Sequence, residues 1–184
     1  MAINLEKGQR VAVELPKFTI GLGWDTNQSS TGTDFDLDAS AFMLGENGKI
    51  PADEFFVFYN NLTSPDEAVQ HTGDNLTGEG EGDDESILID LSKIDPRITE
   101  IIFVVTIHKA DERRQNFGQV RNAFIRIDDT VTGREILRYD LDEDFSIETA
   151  VEFGRIYKRN GQWKFEAIGT GQKAGLAKYL DKYN

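Results

Sequence analysis

The sequence predicts an all-β protein, an antiparallel two-sheet β-sandwich with a short C-terminal helix. Three observations carry that prediction. About ten short runs are rich in Val, Ile, Phe and Tyr and are separated by turn residues, as sandwich strands are. No long helical pattern alternates with them, so nothing supplies the crossovers a parallel sheet needs. Asn160-Gly161 joins residues 153–159 to residues 162–168, and that dipeptide between two strand-like runs is the strongest short hairpin signal.

Taken in order, residues 10–15 place Val11, Val13 and Leu15 on one face, and residues 18–23 continue as a second extended run after Pro16. Residues 34–44 form a third. The runs 54–60 (EFFVFYN), 87–91 (ILIDL) and 101–108 (IIFVVTIH) are apolar and short, as strands buried on both faces are, and are expected to build the core. Residues 123–128 and 134–140 flank the turn-like stretch 129–133. Helix is expected only as a turn or two over 111–117 and over 174–183, where Leu176, Tyr179 and Leu180 share an apolar side. No linker divides the chain, so residues 1–184 are read as one domain.

Hydrophobic residues at 39% and charged residues at 29% suit a folded chain rather than a disordered one. The 184 residues contain no cysteine, which excludes disulfides, thiolate zinc sites and iron–sulfur clusters, and only two histidines, His71 and His108. No window approaches the roughly 18 apolar residues of a membrane span, and Glu6, Lys7 and Arg10 occupy the stretch where a signal peptide needs an apolar segment. A cytoplasmic protein without direct membrane insertion is expected.

The net charge is -13 and it is unevenly placed. Between Asp25 and Glu85 there are 15 acidic residues against one basic residue, Lys49; the rest of the chain carries 18 acids and 19 bases. Such a segment repels itself unless its charge is spread, disordered or neutralised by cations. Nucleic acid is not an expected partner, since its phosphates meet this segment with the wrong sign.

Two constellations stand out within it. In Asp34-Phe35-Asp36-Leu37-Asp38-Ala39-Ser40 a strand's period of two puts three carboxylates on one face, with Phe35, Leu37 and Ala39 turned towards the core. Like charges so placed destabilise a sheet, which argues against a merely solvated strand face and for a hard, oxygen-seeking cation. Residues 73–86 hold six acids and four glycines, a combination that lets a short loop fold round an ion. Asp25 and Asn60-Asn61 supply further oxygens. The pattern is not an EF-hand, because the sixth position counted from Asp34 is Ala39 rather than Gly and the twelfth is Gly45 rather than Glu. The supply of oxygens favours calcium over magnesium, and it exceeds what one ion uses, so two ions are expected. His108 reads as a strand-end hydrogen-bonding residue, His71 as a group that orients the acidic loop, and Arg113-Arg114 as a small basic surface spot facing a partner.

Several of these segments in order resemble one family: Gly21-Leu22-Gly23-Trp24-Asp25, the run 34–42, Phe58-Tyr59-Asn60-Asn61-Leu62, His71-Thr72-Gly73-Asp74-Asn75, the acidic run 78–85 and Arg114-Gln115-Asn116-Phe117-Gly118. The chain resembles the TerD-domain family of bacterial tellurite-resistance and general stress proteins over essentially its whole length. The resemblance implies a β-sandwich that binds calcium, usually two ions, and is not an enzyme. It implies a cytoplasmic member of the Ter stress system, associated with resistance to tellurite, phages and colicins. Other Ter-system proteins are the implied partners, a membrane-embedded Ter protein among them. Carried over by motif, Asp25, Asp34, Asp36, Asp38, Asn60, Asp74, Asn75, Glu79, Asp83, Asp84 and Glu85 are the implied calcium positions. Adjacent acids in the run 79–85 cannot all reach one ion, so their division is left open. With no cysteine, and methionine only at Met1 and Met43, the chain lacks thiols that would reduce or ligate tellurite, and an indirect role in resistance is expected. Two alternatives remain: a metal-dependent hydrolase that uses the same acidic rim, and a module that binds a small ligand such as a cyclic nucleotide.

Overall fold

The computed structural model describes residues 2–25, 32–73, 83–141 and 145–184. The strands are β1 (Ile3–Asn4), β2 (Arg10–Ala12), β3 (Lys17–Gly23), β4 (Leu37–Leu44), β5 (Phe56–Val57), β6 (Val69–His71), β7 (Glu85–Asp90), β8 (Glu100–Ile107), β9 (Phe124–Asp129), β10 (Glu135–Asp140), β11 (Ala150–Arg159) and β12 (Gln162–Gln172). The helices are α1 (Ala110–Arg113), α2 (Leu176–Tyr183) and a single 3₁₀ turn, Asp53–Phe55. Two six-stranded sheets result, the first in the order β1-β10-β9-β3-β7-β6 and the second β2-β12-β11-β8-β4-β5. Every pairing is antiparallel except β1 with β10.

The expected sandwich and terminal helix are therefore present, with local differences. β1 and β6 have only two and three residues, too few to show a period, and they escape pattern reading. β11 begins at Ala150 and β12 runs on to Gln172, because a register shift between Glu152 and Gly154 lets the pair continue past the point where alternation breaks. The predicted hairpin is present: Asn160 and Gly161 both have positive φ, 52° and 76°, as a type I′ turn requires.

Alternation decides what each strand buries. Phe18, Ile20 and Leu22 of β3 and Ile87 and Ile89 of β7 are almost fully buried and face the second sheet. On β4 both faces are covered. Leu37, Ala39, Ala41 and Met43 turn inward, while Phe42 on the opposite face stacks on Phe56 at 4.4 Å between ring centroids and meets Tyr183 of α2 at 5.0 Å. Helix α2 thus lies across the outer face of the second sheet, with Tyr179 and Tyr183 buried one helical turn apart. Asp36, Asp38 and Ser40 share the parity of Phe42 and belong to that covered outer face.

Register places the acidic segments together. Leu37 pairs with Ile107, Leu22 with Glu85, His71 with Ile87 and Gly23 with Phe124, so the entry to β4, the ends of β3, β6 and β8, and the entries to β7 and β9 all lie at one end of the sandwich. No helix among the described residues is long and apolar enough to cross a membrane.

Candidate functional site

The carboxylates of Asp36 and Asp38, at the entry to β4, are not solvated. Asp36 and Asp38 are each only 5% exposed, whereas Asp34, which precedes the strand, is exposed. Two residues along a strand span about 7 Å, and at an effective dielectric of about 20 two unit charges at that separation repel by about 2 kcal/mol. Among the described residues, Arg113 Nη1 is 3.5 Å from Asp36 Oδ2 and His108 Nδ1 is 3.6 Å from Asp38 Oδ2. His108 is held there by its backbone N–H, which donates to the Asp36 carbonyl at 2.8 Å. Gln115, 6% exposed, donates its side-chain amide to the Thr33 and Asp34 carbonyls at 2.7 and 3.2 Å, which fixes the chain as it enters the acidic row.

The three consecutive acids at the start of β7 take three different directions. Glu85, 2% exposed, turns inward, accepts the Ala39 N–H at 2.6 Å through Oε2 and has His71 Nε2 at 3.4 Å from the same oxygen. Since β5 pairs with β4 only at Ala41 and Phe42, the Ala39 amide lies beyond that pairing, and Glu85 of the first sheet satisfies it. His71 Nδ1 accepts the Gly73 N–H at 3.1 Å, so a proton on the neutral ring belongs to Nε2, the nitrogen on the Glu85 side. Asp84 lies along the end of the sandwich and accepts the Trp24 N–H at 2.8 Å. Burial pushes its carboxyl above the usual range, the Trp24 hydrogen bond opposes this, and the charges of Asp83 and Asp25 add to the rise. Asp83 goes to the outer face of the first sheet, where it pairs with Arg126 at 2.8 Å in company with Asp128. It lies over Gly21, so that a Cβ there would come within 2.1 Å of the carboxylate, and this close approach is what requires glycine at that position. Burial pushes Asp83 up as well, partly offset by Arg126.

Asp25 accepts a hydrogen bond from Asn122 Nδ2 at 2.7 Å and stands near enough to Asp84 to raise its carboxyl. Asn60 is exposed in the turn 58–61 that joins the edges of the two sheets, while Asn61 spends its amide on the Glu54 and Phe56 carbonyls. Asp74, Asn75 and Glu79 lie outside the described residues. Of the eleven sequence-derived positions, then, Asp25, Asp34, Asp36, Asp38, Asn60, Asp84 and Glu85 gather at one end of the sandwich, and Asp83 turns away from Asp36 and Asp38 into a pair with Arg126. Arg113 is half-buried over Asp36 rather than on open surface; Arg114 is exposed. Sequence reasoning missed Arg113, Gln115 and Asn122 as parts of this end. A short helix starting at Ala110 was the available signal, but it does not by itself say which of two adjacent arginines faces inward.

Carboxylate and amide oxygens dominate the arrangement, a donor chemistry that suits a hard divalent cation better than a transition metal. Among the described residues no three acidic or histidine side chains close into a ready metal cage.

Fold and site together define a β-sandwich protein with an acidic, oxygen-rich end and no helix, among the described residues, long and apolar enough to cross a membrane. The TerD domain model matches residues 1–183, and the chain belongs to the TerD domain family. It is 52% identical to general stress protein 16U of Bacillus subtilis (strain 168) over 188 aligned positions, covering 100% of this chain and 97% of that one. It is also 52% identical to the tellurium resistance protein TerD of Serratia marcescens, again over 100% of this chain and 97% of the relative. A crystal structure of a TerD homologue, SCO6318 from Streptomyces coelicolor A3(2), superposes with a TM-score of 0.71 at 21% identity, covering 90% of this chain and 95% of that one. At that identity it speaks for the fold alone.

Proposed function

We propose that this chain is a calcium-binding, non-catalytic module of the bacterial tellurium-resistance and stress response, acting in the cytoplasm, in which Ca²⁺ neutralises the acidic end of the sandwich and orders the loops around it. The observation that carries this reading is the burial of Asp36 and Asp38 on one face, two residues apart. A hard dication placed there removes the repulsion between two carboxylates that water hardly reaches. Asp36 and Asp38 are the central ligands in this reading, with Asp34, Asp25, Asp84 and the carbonyls of the entering loop nearby. Asp74, Asn75 and Glu79 follow from the family motif, and two ions accord with the number of oxygens. Glu85 acts in support, since its carboxylate already accepts the Ala39 N–H and stands against His71. The loaded loops then form the surface that other Ter-system proteins read, a membrane-embedded one among them.

The test is a calcium titration of chelator-stripped protein by calorimetry, with magnesium as competitor and native mass spectrometry to count ions. Two calcium ions held against excess magnesium are expected. Asp36→Asn and Asp38→Asn should each weaken binding by at least about tenfold, roughly 1.4 kcal/mol, while leaving the circular dichroism spectrum intact. Unchanged affinity in both variants would remove the β4 carboxylates from the site.

A further inference from the structure

We infer that Arg113 is a tethered competitor for the metal: it serves as the cation of Asp36 when no ion is bound, and calcium must displace it. This rests on the calcium reading above and adds to it the residue that sets the affinity.

Arg113 is not a loose surface side chain that happens to pass an acid. It closes α1, a helix of only four residues, and that helix is fixed to the acidic row at both ends. At the entry, the His108 N–H donates to the Asp36 carbonyl at 2.8 Å. At the exit, the buried Gln115 amide holds the Thr33 and Asp34 carbonyls. The residues flanking the helix, Lys109 and Arg114, are both in the left-handed region, with φ of 51° and 54°. For non-glycine residues that conformation is unfavourable and persists only where surrounding contacts impose it. The local chain is thus bent twice to seat one turn of helix, and the side chain this delivers to Asp36 is Arg113. Its side chain is 25% exposed against 8% for that of Asp36, so the pair is partly shielded from water.

The pair is also imperfect. Nη1 and Oδ2 are 3.5 Å apart, beyond the 2.7–2.9 Å of a good charge-assisted hydrogen bond, and the guanidinium fork engages Asp36 through one nitrogen. Glu100 with Arg155 at 2.7 Å shows what the same chemistry achieves on this protein when the pair is purely structural. A cation held at a distance lowers the repulsion in the empty site while remaining easy to exchange. Calcium then competes with Arg113 rather than with water, which weakens its apparent affinity and keeps the unloaded protein folded.

Arg113→Gln tests this, with Lys109→Gln as a control that removes a neighbouring charge without touching Asp36. Calcium affinity by calorimetry is expected to rise about tenfold in Arg113→Gln, equivalent to about 1.4 kcal/mol, and to change less than about threefold in Lys109→Gln. Without calcium, the melting temperature of Arg113→Gln should fall, and calcium should raise it further than it raises that of the unaltered protein. Arg113→Lys keeps the charge and loses the planar fork, and its affinity should lie between the two; it also serves if Arg113→Gln does not fold unloaded. Binding by the unaltered protein together with unchanged or weaker binding by Arg113→Gln overturns the competitor role and leaves the metal reading standing. An equal rise in both variants overturns it too, by assigning the effect to the general field. Absence of calcium binding from the unaltered protein and from Arg113→Gln alike removes the metal reading and this inference with it.

Discussion

Two buried carboxylate sites share the outer face of the second sheet, and they are built in opposite ways. Glu152 of β11 pairs across to Val104, the residue whose other neighbour is Ser40, so it lies on the same face as the acidic row, two strands away from β4. It is 8% exposed and well supplied: the Tyr183 hydroxyl donates to it at 2.7 Å, and Lys182 forms a close ion pair with the same oxygen. Asp36 and Asp38, just as buried, face an arginine and a histidine at 3.5 and 3.6 Å. Burying a carboxylate is unfavourable unless its partners are close, so the first site is finished by the chain itself, and the second, in the calcium reading proposed above, is completed by a cation. The two sites therefore differ in how close a basic side chain stands, although their burial is alike.

Substitutions should separate the two sites by sign. The largest effect is expected at the finished one. Glu152→Ala strands Tyr183 and Lys182 and should cost about 2 kcal/mol in chemical denaturation, whether or not calcium is present, with Lys182's half-exposed position limiting the loss. At the open site the sign reverses. Asp38→Asn in calcium-free protein should be neutral or stabilising by about 0.5–1 kcal/mol, because it relieves repulsion with Asp36, while the calcium-induced rise in melting temperature shrinks. If Asp38→Asn instead destabilises the calcium-free protein as Glu152→Ala does, the distinction drawn between the sites collapses. The third effect concerns Tyr183, whose hydroxyl is pushed above its ordinary value, chiefly by burial and then by Glu152. A raised folded value means that stability from this group is fully present below pH 10.0, the ordinary value, and is lost as pH rises from there towards the folded one. Tyr183→Phe should cost about 1 kcal/mol near neutrality and show a shallower loss of melting temperature above pH 10 than the unaltered protein.

Much of this was legible in the sequence, for reasons that also mark where legibility stops. A period of two over residues 34–40 is enough to put Asp36 and Asp38 on one face and Phe35, Leu37 and Ala39 on the other, and that is how they lie. The sandwich followed from many short strands without crossovers, and the Asn160-Gly161 hairpin from the positive φ both residues adopt. Strands of two or three residues carry no period, so β1 and β6 were missed. The parallel pairing of β1 with β10 depends on where the chain returns in space, which no local pattern encodes. The fates of Asp83, Asp84 and Glu85 were illegible for a related reason. At a strand's entry three neighbours can diverge to a sheet face, an end and an interior, and which goes where is decided by Arg126, Trp24 and Ala39, all distant in sequence. The choice between Arg113 and Arg114 turned on the rotation of a single helical turn.

The reach of Glu85 has a mechanical side. Most cohesion between the two sheets is apolar packing, which resists separation but tolerates sliding, since a methyl group is nearly indifferent to which neighbour it touches. The Glu85 carboxylate, rooted in the first sheet and fastened to the Ala39 amide of the second, is directional and acts as a rivet against shear at the acidic end. A displacement of Glu85 is thus passed to β4 through a directional contact as well as through apolar packing, which stiffens the sandwich across its thickness and not only along its edge.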